Sequence, residues 1–183
     1  MSNSSDSPER YPLEPWRSFF HDLDSLLTER VDLHCCGGFV ATHVYGVART
    51  TSDVDVIGVV PNLQNDLVDL AGKGSPLHKK HKVYLDVVTI ATTPEDYEER
   101  LTPIFPGRWT RLHLFALEAH DLALTKLQRN FERDRDDVQK LAQAGHLKPH
   151  ILEQRYYDEL RLYLIGPVGQ HDSTLRLWLE SYF

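Results

Sequence analysis

Long apolar runs are missing from this 183-residue sequence. No stretch of about 18 apolar residues occurs, so no membrane-spanning helix is expected. Residues 1–8 are polar and serine-rich and lack the apolar centre of a signal peptide. A cytoplasmic protein with a disordered start over residues 1–10 is the expectation. Cysteine is scarce, and its two copies, Cys35 and Cys36, are adjacent, a spacing too tight for an ordinary structural disulfide. Strand geometry sends the two thiols to opposite faces, which argues against a zinc site shared with His34 or His43. Positive charge is also in deficit, with 20 Lys and Arg against 27 Asp and Glu and a formal net charge of −7. Residues 1–100 hold nine basic and sixteen acidic residues, whereas residues 101–183 hold eleven of each. The chain therefore lacks the global basic field of a general nucleic-acid binder, and contact with RNA requires a local patch. Internal repeats and low-complexity segments are absent as well.

What is present suits a globular α/β protein: 41% of residues are apolar and 26% charged. Residues 15–30 carry Trp16, Phe19, Phe20, Leu23, Leu26 and Leu27 at helical spacing, behind a proline that suits a first turn. A short strand is predicted over 31–36, a helix over 39–45, and strands over 53–60 and 83–91. Between the last two lie a helix over 62–71 and a loop over 73–82 containing Lys73, Lys79, Lys80 and Lys82, the most basic short segment of the chain. Its ordinary explanation is a solvated loop. A further strand is predicted over 109–117. Helices follow over 118–144, 149–165 and 173–182. The order describes a small mixed sheet flanked by helices, with a core over 11–117 and a helical C-terminal part over 118–183 packed upon it.

Three features carry chemistry. Asp53 and Asp55 are two apart in a strand, so both carboxylates leave the same face. Two such groups about 4 Å apart repel by roughly 4 kcal/mol at an effective dielectric near 20, and a divalent cation would relieve them. Asp86 sits mid-strand among apolar neighbours and needs a partner. Pairing of the two strands would bring three carboxylates together, a donor set for one or two Mg²⁺ ions. Gly37 and Gly38 follow a strand and open a helix, where bare backbone and free N–H groups suit a phosphate. On a continuous helix, Lys126, Asn130, Arg133 and Asp137 would share one polar stripe beside an apolar one.

Gly37 and Gly38, then Asp53-Val54-Asp55 and later Asp86, resemble the signature of the polymerase-β nucleotidyltransferase superfamily. More narrowly, residues Arg49, Thr51, Asp53 and Asp55 resemble the Arg-x-Thr-x-Asp-x-Asp motif of AbiEii-type toxin nucleotidyltransferases and their uncharacterised relatives. The segment with Lys126 and then Arg133, Asp134 and Asp137 resembles the later Lys and Arg-Asp-x-x-Asp helix of the same family. The resemblance covers roughly residues 30–165. It implies transfer of a nucleoside monophosphate from an NTP to an acceptor hydroxyl with release of pyrophosphate. Asp53, Asp55 and Asp86 would be metal ligands and catalytic groups. Gly37, Gly38, Arg49, Thr51, Ser52 and Lys126 would line the nucleotide site, with Arg133 and Asp137 as supporting charges. The 3′ end of tRNA, reached through local basic patches, is the first acceptor implied, and a cognate antitoxin or toxin a possible partner. A protein or small-molecule acceptor, and a non-catalytic nucleotide- or partner-binding module, remain the alternatives.

Overall fold

The computed structural model describes residues 12–88 and 92–183. The terminus expected to be disordered and the end of the strand predicted over 83–91 lie outside the described residues. Helix α1 (Trp16–Leu26) buries Trp16, Phe19, Phe20 and Leu23, the spacing its sequence announces. Strand β1 (Val31–Cys36) runs directly into α2 (Gly37–His43), which starts at the glycine pair and not at Phe39. Trp16 packs edge-on against Phe39 at 5.0 Å between ring centroids, fixing α1 on α2. Strand β2 (Asp53–Val60) follows, then α3 (Gln64–Ala71), α4 (Pro76–His81) and β3 (Tyr84–Val87).

Helix α4 lies in the segment expected to be a loop. Ser75 accepts a hydrogen bond from the His78 N–H at 3.1 Å, and Pro76 occupies the first turn, a start signal strong enough to fold a lysine-rich hexapeptide. Strand β4 (Thr102–Ile104), which sequence patterning did not anticipate, pairs along one side only, as its Pro103 requires. Strand β5 (Leu112–Ala116) completes a five-stranded mixed sheet in the order β3-β2-β1-β5-β4. Strands β1 and β2 are antiparallel, as are β4 and β5, whereas β1 with β5 and β2 with β3 are parallel.

The C-terminal part is helical but more broken than expected. Helix α5 (Ala119–Leu124) ends before Lys126, and α6 (Glu132–Gln143) begins after Phe131. Asn130 between them takes a left-handed φ of 47°, a conformation asparagine tolerates better than most residues. Asp134, in the first turn of α6, accepts the Phe131 N–H at 3.1 Å and so closes the new helix's start. Helix α7 (Pro149–Arg155) passes into a π-helical turn, and α8 (Val168–Tyr182) ends the chain. Leu33, Cys35, Val54 and Val56 are fully buried in the sheet's core. Among the described residues no helix is long and apolar enough to cross a membrane.

Candidate active site

The register of the sheet assembles the carboxylates. Asp55 stands opposite Cys36 of β1 on one side and opposite Asp86 of β3 on the other, while Asp53 stands opposite Tyr84. Adjacent strands lie about 4.8 Å apart, and residues two apart share a face, so Asp53, Asp55 and Asp86 project from one face at the end of β1. Asp86 is exposed on the edge strand, and the burial expected from its apolar neighbours does not occur. Asp53 accepts a hydrogen bond from Thr51 Oγ1 at 2.7 Å and a longer one from the Tyr84 hydroxyl at 3.4 Å. Ser52 is exposed, and its carbonyl accepts the Tyr84 N–H at 3.1 Å. Ser52 therefore ties the start of β2 to β3, while Thr51 fixes the Asp53 side chain within its own segment.

The glycines serve the carboxylate and the arginine. Gly37 has a φ of 67°, and a Cβ there would lie 1.6 Å from Asp55 Oδ2. Only a bare backbone lets Asp55 sit where it does. A Cβ on Gly38 would lie 2.8 Å from Cζ of Arg49, so the guanidinium occupies the space that a side chain at 38 would fill. Arg49 in turn donates to Asp137 Oδ2 at 2.5 Å, and Lys126 Nζ donates to the same oxygen at 2.9 Å. Lys126 is 4% exposed and also lies 3.8 Å from Asp134. Lys126 and Asp137 thus meet across the break at Asn130, not along a single helix. Arg133 points away: it is exposed on α6 beside Glu132, Asp136 and Tyr182 and joins none of these contacts.

Burial raises the Asp55 carboxyl above its ordinary range, and Asp53 and Asp86 push it further; Lys126 and Arg129 oppose them. Oxygen donors with unrelieved mutual repulsion fit a hard cation. Among the described residues no three His, Cys, Asp or Glu stand close enough to hold an ion alone. A cavity of about 280 Å³ opens beside Asp55, lined among the described residues by Cys36, Gly37, Val88, Thr92, Thr125, Lys126, Gln128 and Arg129. Thr92 donates to Gln128 Oε1 at 3.1 Å across it. Cys36, Val88, Thr92, Thr125, Gln128 and Arg129 were not expected in the site. The nearest signal for the last two is their place immediately after Lys126. A wider cavity of about 540 Å³ between α1, α4 and Trp109 is lined, among the described residues, by a single acid, Asp22, already held by Lys80 and His81, and so offers no carboxylate set there.

No curated protein and no solved structure matches this chain. Residues 20–177 match the model of a family described as "Nucleotidyltransferase of unknown function (DUF6036)". With the glycine pair, the carboxylate row and the facing cations all inside that span, the chain belongs to this nucleotidyltransferase family.

Proposed function

We propose that the protein is a Mg²⁺-dependent nucleotidyltransferase that moves a nucleoside monophosphate from an NTP to an acceptor hydroxyl and releases pyrophosphate. The observation that carries this reading is the row of Asp55 and Asp86 across paired strands, with Asp53 on the same face and the cavity beside them. The order of glycine pair, short helix and carboxylate strand supports kinship with the polymerase-β superfamily and its AbiEii-type members. Asp53, Asp55 and Asp86 would hold one or two Mg²⁺ ions, which supply charge neutralisation at the phosphates when bound.

The chain's own groups do the rest by position. Gly37 admits the Asp55 carboxylate, Thr51 orients Asp53, and Arg49 with Asp137 anchors the loop that leads into β2. The acceptor oxygen attacks the α-phosphorus as the bond to the β-phosphate oxygen breaks, and pyrophosphate leaves with that oxygen. Asp86, exposed on the edge strand, takes the hydroxyl proton. An acceptor can reach this edge from solvent. The lysines around α4 flank it, with Lys73 Nζ 5.8 Å from the Tyr84 ring, which favours a polyanionic acceptor such as a tRNA 3′ end. A toxin–antitoxin pairing agrees with the motif resemblance.

The test is incubation with each α-labelled NTP, Mg²⁺ and total cellular RNA or protein. Labelled product should form with the wild-type chain and fall at least about 100-fold in Asp53→Ala, as loss of a charge-stabilising group at a reacting centre does. Equal labelling by the two proteins, or labelling that survives removal of Mg²⁺ by EDTA, would overturn the reading.

A further inference from the structure

Five charged side chains back the cavity, and they are not equally available. Arg49, Lys126 and Arg129 face Asp134 and Asp137, three cations against two carboxylates, so one positive charge of this group is left to face Asp55 and the cavity. Lys126 cannot present it. Its side chain is 5% exposed, and its ammonium lies between the two carboxylates at 2.9 and 3.8 Å. Arg49 is 18% exposed, with its guanidinium against Gly38 and one donor on Asp137. Arg129 is 51% exposed and lines the cavity.

Arg129 is also fixed. Its Nε and Nη2 donate to the two oxygens of Asp134 at 2.7 and 2.5 Å. Asp134 is fully buried and tied to the start of α6 by the Phe131 N–H. A guanidinium has five N–H donors in a planar fork, so this pairing leaves donors that Asp134 does not use on a side chain that lines the cavity. The Arg129 charge also acts on Asp55, which lines the same cavity.

We propose that Arg129 is the side chain that grips the phosphate chain of the nucleotide, while Lys126 is a buried counter-charge of Asp134 and Asp137 that makes no phosphate contact. This inference rests on the nucleotidyl-transfer reading of the same cavity. The guanidinium would meet the phosphate oxygens with paired donors in the cavity that Asp55 also lines. Rigid attachment to Asp134 lowers the conformational cost of that contact.

The experiment is calorimetric titration of wild type, Arg129→Ala, Arg129→Lys and Lys126→Ala with Mg²⁺ and the α,β-methylene analogue of each NTP, beside the matching nucleosides, with melting temperatures measured in parallel. Arg129→Ala should still fold but melt below the wild type, because buried Asp134 loses its paired donors, and it should bind the triphosphate about tenfold or more weakly, the size of a lost charged hydrogen bond. Its nucleoside affinity should not change. Arg129→Lys should recover part of the loss, because a point charge replaces a fork. Lys126→Ala should melt at a lower temperature. Wild-type affinity for the triphosphate in Arg129→Ala overturns the inference, as does Lys126→Ala that melts normally yet selectively loses triphosphate affinity. A wild-type chain that binds none of the four analogues overturns the nucleotidyl-transfer reading itself.

Discussion

At the scale of single residues, the site depends on what Gly37 lacks. A methyl group there would collide with the Asp55 carboxylate, and the left-handed backbone adds strain for any other residue. Gly37→Ala is therefore expected to melt slightly below the wild type yet lose at least about 100-fold in nucleotidyl transfer, since small displacements of a reacting group carry costs of that order. Paired melting curves and labelled-NTP rates check this, and unchanged transfer would remove Asp55 from the catalytic centre. The period of two between Asp53 and Asp55 was readable because strand geometry alone fixes their common face. The service that Gly37 performs for Asp55 was not, because it depends on the antiparallel pairing of β1 and β2, which no local pattern encodes.

Among the elements, α4 and the α5–α6 break changed most between sequence and structure. Lys79, Lys80 and Lys82 are presented by a capped helix end beside the edge strand that bears Asp86, not by a free loop. Lys80 is bound to Asp22 at 2.6 Å, so on the proposed RNA-acceptor reading Lys79 and Lys82 would be the better phosphate contacts. Replacing both with Gln should weaken RNA binding and reduce the slope of log affinity against log salt by up to about 2, read from filter binding at several salt concentrations. An unaltered slope would leave α4 as ordinary surface. The break at Asn130 was hidden because Leu127, Phe131, Val138 and Leu141 continue an apolar stripe across it. Periodicity reports which face is apolar, not whether the backbone stays helical, and the Asp134 carboxylate that decides the matter acts through a single hydrogen bond. The break also withdraws Arg133 from the site and puts Arg129 into it.

For the whole molecule, a polar cluster ties the helical part to the turn that precedes β4. Glu118 accepts hydrogen bonds from His120 Nδ1 at 2.7 Å and from Arg155, while buried Asp121 binds Arg155 at 2.9 Å and Arg100 at 2.7 Å. Burial favours the protonated Glu118, but the bonds from His120 and Arg155 overcome it and bring the carboxyl down to about 2. A folded-state value below the unfolded one contributes stability above the unfolded pKa of about 4.3, and that stability is lost as pH falls toward 2. Linked stabilisation of about 3 kcal/mol at neutral pH is the order expected. Urea unfolding of the wild type and Glu118→Gln should therefore differ clearly at pH 7 and converge near pH 3 to 2. A constant difference across that range would show that Glu118 acts by packing alone. The bond from Arg49 to Asp137 crosses the same division and joins residues 88 apart in sequence. During synthesis the ribosome releases both halves of the carboxylate row long before α6. Until α6 emerges and folds back, Arg49 lacks its Asp137 partner, so this long-range bond between the β2 loop and α6 is among the last of the described contacts that translation allows to form.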